Sequence, residues 1–288
     1  MNRLKLILLF LLLAAGVALA QRYRGWAGGD PVYPEYETAV TAREAPSHST
    51  DIPNWTNHPA FDKDAFTFAR LRYTRLENVR AGWWHSDFPD SDLNLSFRLQ
   101  QVTSLKANPD GRVVNITDKE LADYPWVYMV EPGGLTLTKE EVTTLRKYLL
   151  NGGFLMADDF WGERQWDNFE REFKRVFPER AFTELPMEHA IFHCVFDFKG
   201  RKNSLQTPNV LTAQRGISYE THDGEDCAEL HVRAILDDKG RIMVLATHNC
   251  DNGDGWEREG EDDRFFHEFC EKRAYPLAIN ILYYAMTH

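Results

Sequence analysis

The short motifs that mark many catalytic and nucleotide-binding sites are absent from this sequence, and cysteine is scarce. There is no Gly-x-Ser-x-Gly, Walker loop, Gly-x-Gly-x-x-Gly or His-Glu-x-x-His, so no such nucleophile, nucleotide or zinc-protease site is predicted. No Cys-x-x-Cys pair occurs, which argues against a zinc-ribbon or thioredoxin-like site. The four cysteines permit three complete disulfide pairings, and the sequence does not choose between these and free thiols: Cys194, Cys227, Cys250 and Cys270.

Positive charge is also in short supply. Lysine and arginine number 33 against 44 aspartate and glutamate residues, and the net charge is −11. Nucleic-acid binding needs clustered basic residues that neutralise phosphates, so we expect no nucleic-acid partner. An acidic chain instead favours solubility and the binding of cations or cationic ligands.

A long apolar run occurs only at the start of the sequence. Arg3 and Lys5 precede the run over residues 6–13, and residues 18–20 fit a small-x-small cleavage site before Gln21. This order predicts a secretory signal peptide over residues 1–20. The alternative is an uncleaved membrane anchor, although the run is short of the ~20 residues of a spanning helix. Cleavage would leave 31 basic and 44 acidic side chains, a charge of −13, and no transmembrane segment. We therefore expect an exported protein of the bacterial envelope, either periplasmic or extracellular.

The sequence after the predicted signal peptide divides into two parts. Residues 21–62 are rich in Pro, Gly, Thr and Ser and lack helical or strand periodicity, which predicts an extended N-terminal arm or linker. Such an arm makes few buried contacts and is expected to be dispensable for folding. Residues 63–288 are long enough for one domain with a sizeable core.

Strand-like and helix-like segments alternate in this second part. Apolar patterns predict strands over 66–73, 113–116, 126–130, 154–157 and 191–198, and a hairpin formed by 230–236 and 241–247. Helices are predicted over 92–103, from a capping box at Thr138 and Glu141, over 166–177, and over 265–286 with an interruption near Pro276. The alternation predicts an α/β fold with a largely parallel sheet.

Polar residues follow several of the predicted strands. Ligands of open α/β sheets bind beyond the carboxyl ends of the strands, so we expect a group of these residues to converge on one cleft: His85, Asp87, Asp158, Asp159, His189, His248 and Asp251. The candidates for acid–base catalysis are Asp158, Asp159 and His189. The candidates for ligand binding are Arg72, Trp84, His85, Asp87, Glu131, Trp161, His248 and Asn249.

Each of these assignments has a structural alternative. Asp158 and Asp159 would also serve as a helix cap or an ion-pair partner, the histidines as buried hydrogen-bonding groups, and the tryptophans as core residues. Asp251 and Asp254 are the metal-ligand candidates, because residues 251–257 resemble the start of a calcium loop, although they lack its full spacing and its distal glutamate. A polar surface turn is the alternative there. The cofactor stays open, and a divalent cation is the candidate for these oxygen ligands.

Seven segments together resemble one bacterial family, domain of unknown function 4159. They are residues 66–73, 84–94, 124–128, 149–161, 185–192, 248–257 and 284–288. The resemblance implies a three-layer, flavodoxin-like fold related to the class I glutamine amidotransferases, with a largely parallel sheet and helices on both faces. Those enzymes carry a cysteine directly after the strand that corresponds to residues 154–157, where this chain has Asp158 and Asp159. Without a thiol there, glutaminase chemistry lacks its nucleophile.

Two functions remain open at this stage, and whether the chain is an enzyme is open with them. The first is a non-catalytic domain that binds an envelope ligand or a protein partner at the carboxyl edge of the sheet. The absence of a nucleophile favours it. The alternative is a hydrolase that acts on a glycan or related envelope substrate with carboxylate and histidine chemistry, with or without a metal ion. The clustered carboxylates and tryptophans favour this alternative.

Overall fold

The computed structural model describes residues 34–47, 49, 52–61, 64–76, 83–222 and 227–288. The predicted signal peptide and the first part of the predicted arm lie outside these ranges. So does the prediction of cleavage before Gln21.

A mixed sheet of seven strands forms the centre of the protein. The described residues form nine strands in all, and seven of them belong to this sheet. The nine are β1 (Ala69–Arg72), β2 (Thr74–Arg75), β3 (Arg112–Asn115), β4 (Trp126–Val130), β5 (Leu135–Thr136), β6 (Phe154–Asp158), β7 (Thr183–Glu184), β8 (His231–Leu236) and β9 (Ile242–His248). The order in the sheet is β3-β1-β4-β6-β9-β8-β7, and the first five strands are parallel. Strands β8 and β7 are added antiparallel, and β2 pairs with β5 in a separate ribbon. The predicted α/β class with a largely parallel sheet is confirmed.

Both faces of the sheet are buried by alternating side chains. In β4, Val127 and Met129 join one hydrophobic cluster, whereas Trp126, Tyr128 and Val130 join the other. A parallel strand that is covered on both faces reads as a continuous apolar run, which is why β4 and β6 were recognisable in the sequence.

Helices contribute to both clusters. They are α1 (Pro34–Thr38), α2 (Asp90–Val102), α3 (Lys139–Leu150), α4 (Gly162–Val176), α5 (Val210–Gln214), α6 (Asn252–Glu257), α7 (Asp263–Phe265) and α8 (Tyr275–Thr287). The cluster that contains Val127 and Met129 also includes side chains of α3 and α4. The cluster that contains Tyr128 includes side chains of α8. The predicted capping box is present, since Thr138 Oγ1 accepts from the backbone N–H of Glu141 and the Glu141 side chain accepts from that of Thr138.

The predicted C-terminal helix forms with a different internal break. Helix α7 continues into a π-helical segment, Phe266–Ala274, and then into α8. Pro276 is the second residue of α8 and directly follows the π-helical segment. The change of helical geometry therefore precedes the proline.

The strand predicted over residues 191–198 is wrong. The chain instead makes a short 3₁₀ turn, Ala190–Phe192, followed by irregular structure. The Asn280 side chain of α8 accepts from the backbone N–H groups of Val195 and Phe196 and donates to the carbonyl of Phe196. These backbone groups are paired by a helix side chain, so the segment needs no neighbouring strand.

The described part of the predicted arm packs on the domain and is not an extended linker. Tyr36, Ala39 and Ala42 are buried. The backbone N–H of Val113 in β3 donates to the carbonyl of Val40 at 2.9 Å, so this segment covers an edge of the sheet. The expectation that the segment makes few buried contacts does not hold for these residues. Within the described ranges, no helix combines the length and the apolar character needed to cross a bilayer.

Candidate functional site

Backbone strain is concentrated beyond the carboxyl ends of the parallel strands. In the part of the chain that the structure describes, four residues other than glycine have positive φ: Asp87 (61°), Glu131 (48°), Asp159 (54°) and Asn249 (63°). Three of them directly follow β4, β6 and β9. A left-handed residue of this kind costs about 1–3 kcal/mol and persists only where surrounding structure enforces it, commonly at functional sites.

Three buried aspartates from separate segments meet at this edge. One carboxylate oxygen from each of Asp87, Asp159 and Asp251 lies within 4.8 Å of the other two. We call these three residues the carboxylate cluster. The side chains are shielded from solvent, Asp159 being the most exposed at 9%. The sequence predicted that these three would converge, and the structure brings them together.

Two hydrogen bonds hold Asp159 in the cluster, one made by its backbone and one by its side chain. Its N–H donates to the carbonyl of Cys250 at 3.0 Å, which ties the end of β6 to the end of β9. The indole N–H of Trp161 donates to Asp159 Oδ1 at 2.7 Å. The Asp159 carboxyl group is therefore oriented by a rigid ring.

Asp87 lies in a loop that a buried arginine organises. Arg70 of β1 donates to the carbonyls of Trp84 and Ser86 at 3.0 and 2.9 Å, and its guanidinium pairs with Asp92 of α2. A methyl group added to Gly253 would lie 2.0 Å from Asp87 Oδ2, so glycine is required for this approach. Asp87 thus rests directly against the first turn of α6.

Asp251 is the third member of the cluster, and it is held in position as the N-cap residue of α6. Its Oδ1 accepts from the backbone N–H of Asp254 at 2.7 Å, and its own N–H donates to the carbonyl of Thr207 at 2.8 Å. Asp251 combines a capping role with its place in the cluster.

Two of the three aspartates, Asp159 and Asp251, have strongly perturbed electrostatics. Burial, followed by the charges of Glu131, Glu220 and Asp87, raises the pKa of Asp159 well above its ordinary value. Burial, followed by Asp159 and other carboxylates, does the same to the pKa of Asp251. Among the described residues, neither aspartate forms an ion pair with a basic side chain. The cluster therefore holds protons, or a cation, more tightly than separate aspartates would.

Asp158 lies outside the cluster although it is next to Asp159. Its carboxylate accepts from the Tyr128 and Thr247 hydroxyls, the Asn252 amide and the backbone N–H groups of Asn252 and Gly253. Burial raises its pKa to about 6, and these hydrogen bonds oppose that rise. Asp158 holds the start of α6 against the sheet, which is a structural role.

A second acidic group, Asp87 with Asp254 and Glu257, overlaps the first. It differs because Arg258 contacts Asp254 Oδ1 at 3.2 Å and Glu257 Oε2 at 2.5 Å. Asp254, predicted as a metal ligand, also accepts from the backbone N–H of Val210. Its carboxylate is thus already compensated.

Arg72, Trp84 and His85 pack the N-terminal segment against the Asp87 loop. Arg72 donates to the carbonyls of Tyr36 and Ala39 at 3.2 and 2.7 Å and lies 4.6 Å from the centre of the Trp84 ring. His85 is buried with its ring centre 5.1 Å from that of Tyr36. The structure does not bring Arg72 to the carboxylates, and the buried cation beside that loop is Arg70.

Three further candidates, two at the end of β9 and one directly after β4, take different positions. His248 Nε2 donates to the carbonyl of Gly162 at 3.0 Å, and burial lowers the pKa of His248 to about 3, so it is neutral at physiological pH. Asn249 accepts from the N–H of Gly162 and donates to the carbonyl of Glu229. Glu131 accepts from the Ser86 hydroxyl at 2.6 Å, and its negative charge helps to raise the pKa of Asp159. Of these three, Glu131 borders the carboxylate cluster.

His189 does not join the other candidates. Its ring packs on Tyr284 of α8, and Tyr284 packs on Phe154, the first residue of β6. Asp159 follows the last residue of that strand, so the two lie at opposite ends of β6, roughly 15 Å apart along a strand. His189 was placed near a strand end by the incorrect strand over 191–198. The expected convergence of His189 with Asp159 is wrong.

Comparison of the sequence with known families finds one that matches. The sequence model of a family described as a domain of unknown function, DUF4159, matches residues 67–286. The chain belongs to the DUF4159 family. The match contains all three aspartates of the carboxylate cluster. No curated protein matches the chain.

Three residues that shape the carboxylate cluster were missed by sequence reasoning. They are Arg70, which organises the Asp87 loop, Gly253, which admits Asp87, and Glu220, whose charge raises the pKa of Asp159. An arginine within an apolar strand was the available signal for Arg70. The other two contacts join segments far apart in sequence. Cys250 and Cys270 are buried thiols, and Cys194 is a partly buried one.

Proposed function

We propose that this DUF4159 chain is a ligand-binding domain whose site is the carboxyl edge of the sheet, and that Asp87, Asp159 and Asp251 bind a divalent cation there. The observation that carries this proposal is the meeting of three buried carboxylates without a basic partner for Asp159 or Asp251. Burying like charges together is costly unless a cation or protons compensate them. A cation would convert this repulsion into attraction.

The ligand chemistry favours a hard ion. Carboxylate oxygens suit Ca²⁺, Mg²⁺ and Mn²⁺ rather than thiophilic metals. Two oxygens bound to one Ca²⁺ at about 2.4 Å are at most about 4.8 Å apart, and the three cluster oxygens lie within 4.8 Å of one another. Glu131 beside Asp159 supplies a further carboxylate at the edge.

The topology supports the same location. Numbered along the chain, the five parallel strands have the spatial order 2-1-3-4-5, the order of flavodoxin-like folds. This order, together with helices that contribute to both core clusters, supports a three-layer flavodoxin-like arrangement and a relation to the class I glutamine amidotransferase fold. Such folds bind ligands beyond the carboxyl ends of their strands. The backbone strain at Glu131, Asp159 and Asn249 supports that edge as well.

Export belongs to the same proposal. The Arg3 and Lys5 start, the apolar run and the Ala18-Leu19-Ala20 site support secretion to the periplasm or beyond. N-terminal sequencing of protein recovered from outside the cytoplasm tests this point. We expect the chain to begin at Gln21, and a chain that begins at Met1 would contradict it.

A hydrolase is the second candidate, and one observation favours it. Burial and neighbouring carboxylates raise the pKa values of both Asp159 and Asp251, and adjacent carboxyl groups with perturbed pKa values are the groups used for general acid and base roles. The envelope glycan predicted as the substrate fits this chemistry. Release of reducing sugar from envelope polysaccharide, lost in Asp159→Asn, would favour the hydrolase.

Calorimetric titration of chelator-treated mature protein with Ca²⁺, Mg²⁺ and Mn²⁺ tests the main proposal. We expect one site per chain and at least tenfold weaker binding in Asp251→Asn, because one of three charged ligands is lost. Asp197→Asn is the matched control, since that carboxylate is exposed and outside the cluster. No heat of binding for any of the three ions, or equal binding in Asp251→Asn and wild type, would contradict the cation site.

A further inference from the structure

A polar groove lies beside the carboxylate cluster on the same edge of the sheet. It has a volume of about 1340 Å³ and runs between α4 and the antiparallel strands β7 and β8. His231, the first residue of β8, lines it and pairs with His248, the last residue of β9. Asn249, the strained residue after β9, also lines it. The groove therefore reaches the edge at which the aspartates meet.

One end of the groove is organised before any ligand binds. The Arg233 guanidinium lies 4.0 Å from the centre of the Trp166 ring and 3.3 Å from Glu184. Glu184 also contacts Lys202 and His231, and these basic groups lower its pKa to about 2 although burial opposes that shift. The side chains of Lys202, His231 and Arg233 are each about one-fifth exposed. These donors are held in place with part of their surface open to the groove.

The lining combines opposite charges with an apolar strip. Three basic side chains face five glutamates, and Phe182, Pro186 and Met187 lie among them. The charged lining residues are Glu163, Glu170, Glu184, Glu188, Glu229, Arg201, Lys202 and Arg233. Neither sign dominates enough to select a strongly charged ligand, and the acidic chain as a whole repels anions.

We infer that this groove binds a neutral oligosaccharide. Sugar hydroxyls both donate and accept, so they pair with the glutamates as well as with the arginines and the lysine. The C–H faces of sugar rings pack on the apolar strip. The volume exceeds the 300–1,000 Å³ typical of small-molecule pockets, which suits an extended ligand of several units. The inference rests on the proposed function only for placing one end of the ligand near the carboxylate cluster.

The test titrates the mature chain with neutral tetrasaccharides, namely β-1,4-linked N-acetylglucosamine, β-1,4-linked glucose and α-1,4-linked glucose, with a sulfated tetrasaccharide as the anionic arm. We expect at least one neutral sugar to bind with a dissociation constant below about 1 mM. Arg201→Ala and Arg233→Met should weaken that binding at least tenfold. Arg201 is exposed, so its replacement leaves folding unaffected. Arg171→Met is the matched control, because Arg171 lies on α4 outside this groove.

The same titrations with chelator, and in Asp159→Asn, separate this inference from the cation proposal. Sugar binding that survives both treatments supports the groove even if no cation binds. Cation binding without any sugar binding at 10 mM overturns the groove alone. Binding of only the sulfated sugar, or binding unchanged in both arginine variants, would also overturn it.

Discussion

The substitution Asp159→Asn separates a functional carboxylate cluster from a structural one. Two carboxylates at 4.8 Å repel by about 3.5 kcal/mol at an effective dielectric constant of 20 when both are ionised. Bound protons reduce this repulsion, so we expect Asp159→Asn to raise the free energy of unfolding by about 1–2 kcal/mol at pH 8 in the presence of a chelator. The amide oxygen of asparagine still accepts from the Trp161 indole, so that contact is kept.

The sign of the pH dependence follows from the raised pKa of Asp159. A carboxyl group whose pKa is higher in the folded state than in the unfolded chain costs stability as the pH rises from the unfolded value through the folded one. The stabilisation by Asp159→Asn should therefore grow from pH 4 to pH 8. Near pH 4 the carboxyl group is protonated in the folded protein, and the two chains should differ by less than about 0.5 kcal/mol.

Urea unfolding at pH 4, 6 and 8, followed by circular dichroism, measures this difference. Added Ca²⁺ at 100 times its dissociation constant should stabilise the wild type by about 2.7 kcal/mol and leave Asp159→Asn nearly unchanged. A loss of about 1–3 kcal/mol in Asp159→Asn at pH 8, without any response of the wild type to cations, would refute this reasoning. It would mean that Asp159 belongs to a buried polar network that the fold requires.

Three further changes test how the cluster is held. Gly253→Ala should weaken cation binding at least tenfold, because the new methyl group displaces Asp87. Gly255 lies in the same helix as Gly253, and Gly255→Ala clashes instead with Ala274 of the π-helical segment, so this change should lower the melting temperature but leave the cation affinity within threefold. Arg70→Met should cost about 3–5 kcal/mol in urea unfolding, since it leaves a buried carboxylate unpaired; a cost below 1 kcal/mol would refute the pairing argument. A chain that begins at Phe61 should lose at least about 3 kcal/mol, because buried side chains of the N-terminal segment are removed; an unchanged melting curve would restore the earlier view of that segment as a linker.

Local patterns in the sequence were sufficient for most of the sheet. The apolar run of β4 and the capping box at Thr138 depend on neighbouring residues alone, so they were predicted at nearly their observed bounds. The segment 191–198 has a strand-like pattern, but its backbone is paired by Asn280, more than 80 residues away. A single sequence does not contain that pairing.

The site was predictable to the extent that strand ends define it. Asp87, Asp159 and Asp251 were selected because they follow strands, and the structure brings them together. The sequence did not show that Asp159 joins the carboxylate cluster whereas Asp158 binds the start of α6. That difference depends on the direction in which each side chain points at the end of β6. Arg72 was also not predictable, because its side chain donates to a carbonyl of the N-terminal segment rather than reaching the carboxylates.

The most direct test of the carboxylate cluster is a crystal of the mature protein grown with Mn²⁺ and measured for anomalous scattering. We predict a single strong peak about 2.0–2.5 Å from carboxylate oxygens of Asp87, Asp159 and Asp251, which disappears in crystals of Asp159→Asn. Anomalous maps with no peak among these three residues at millimolar Mn²⁺, or with a peak that is unchanged in Asp159→Asn, would contradict the account.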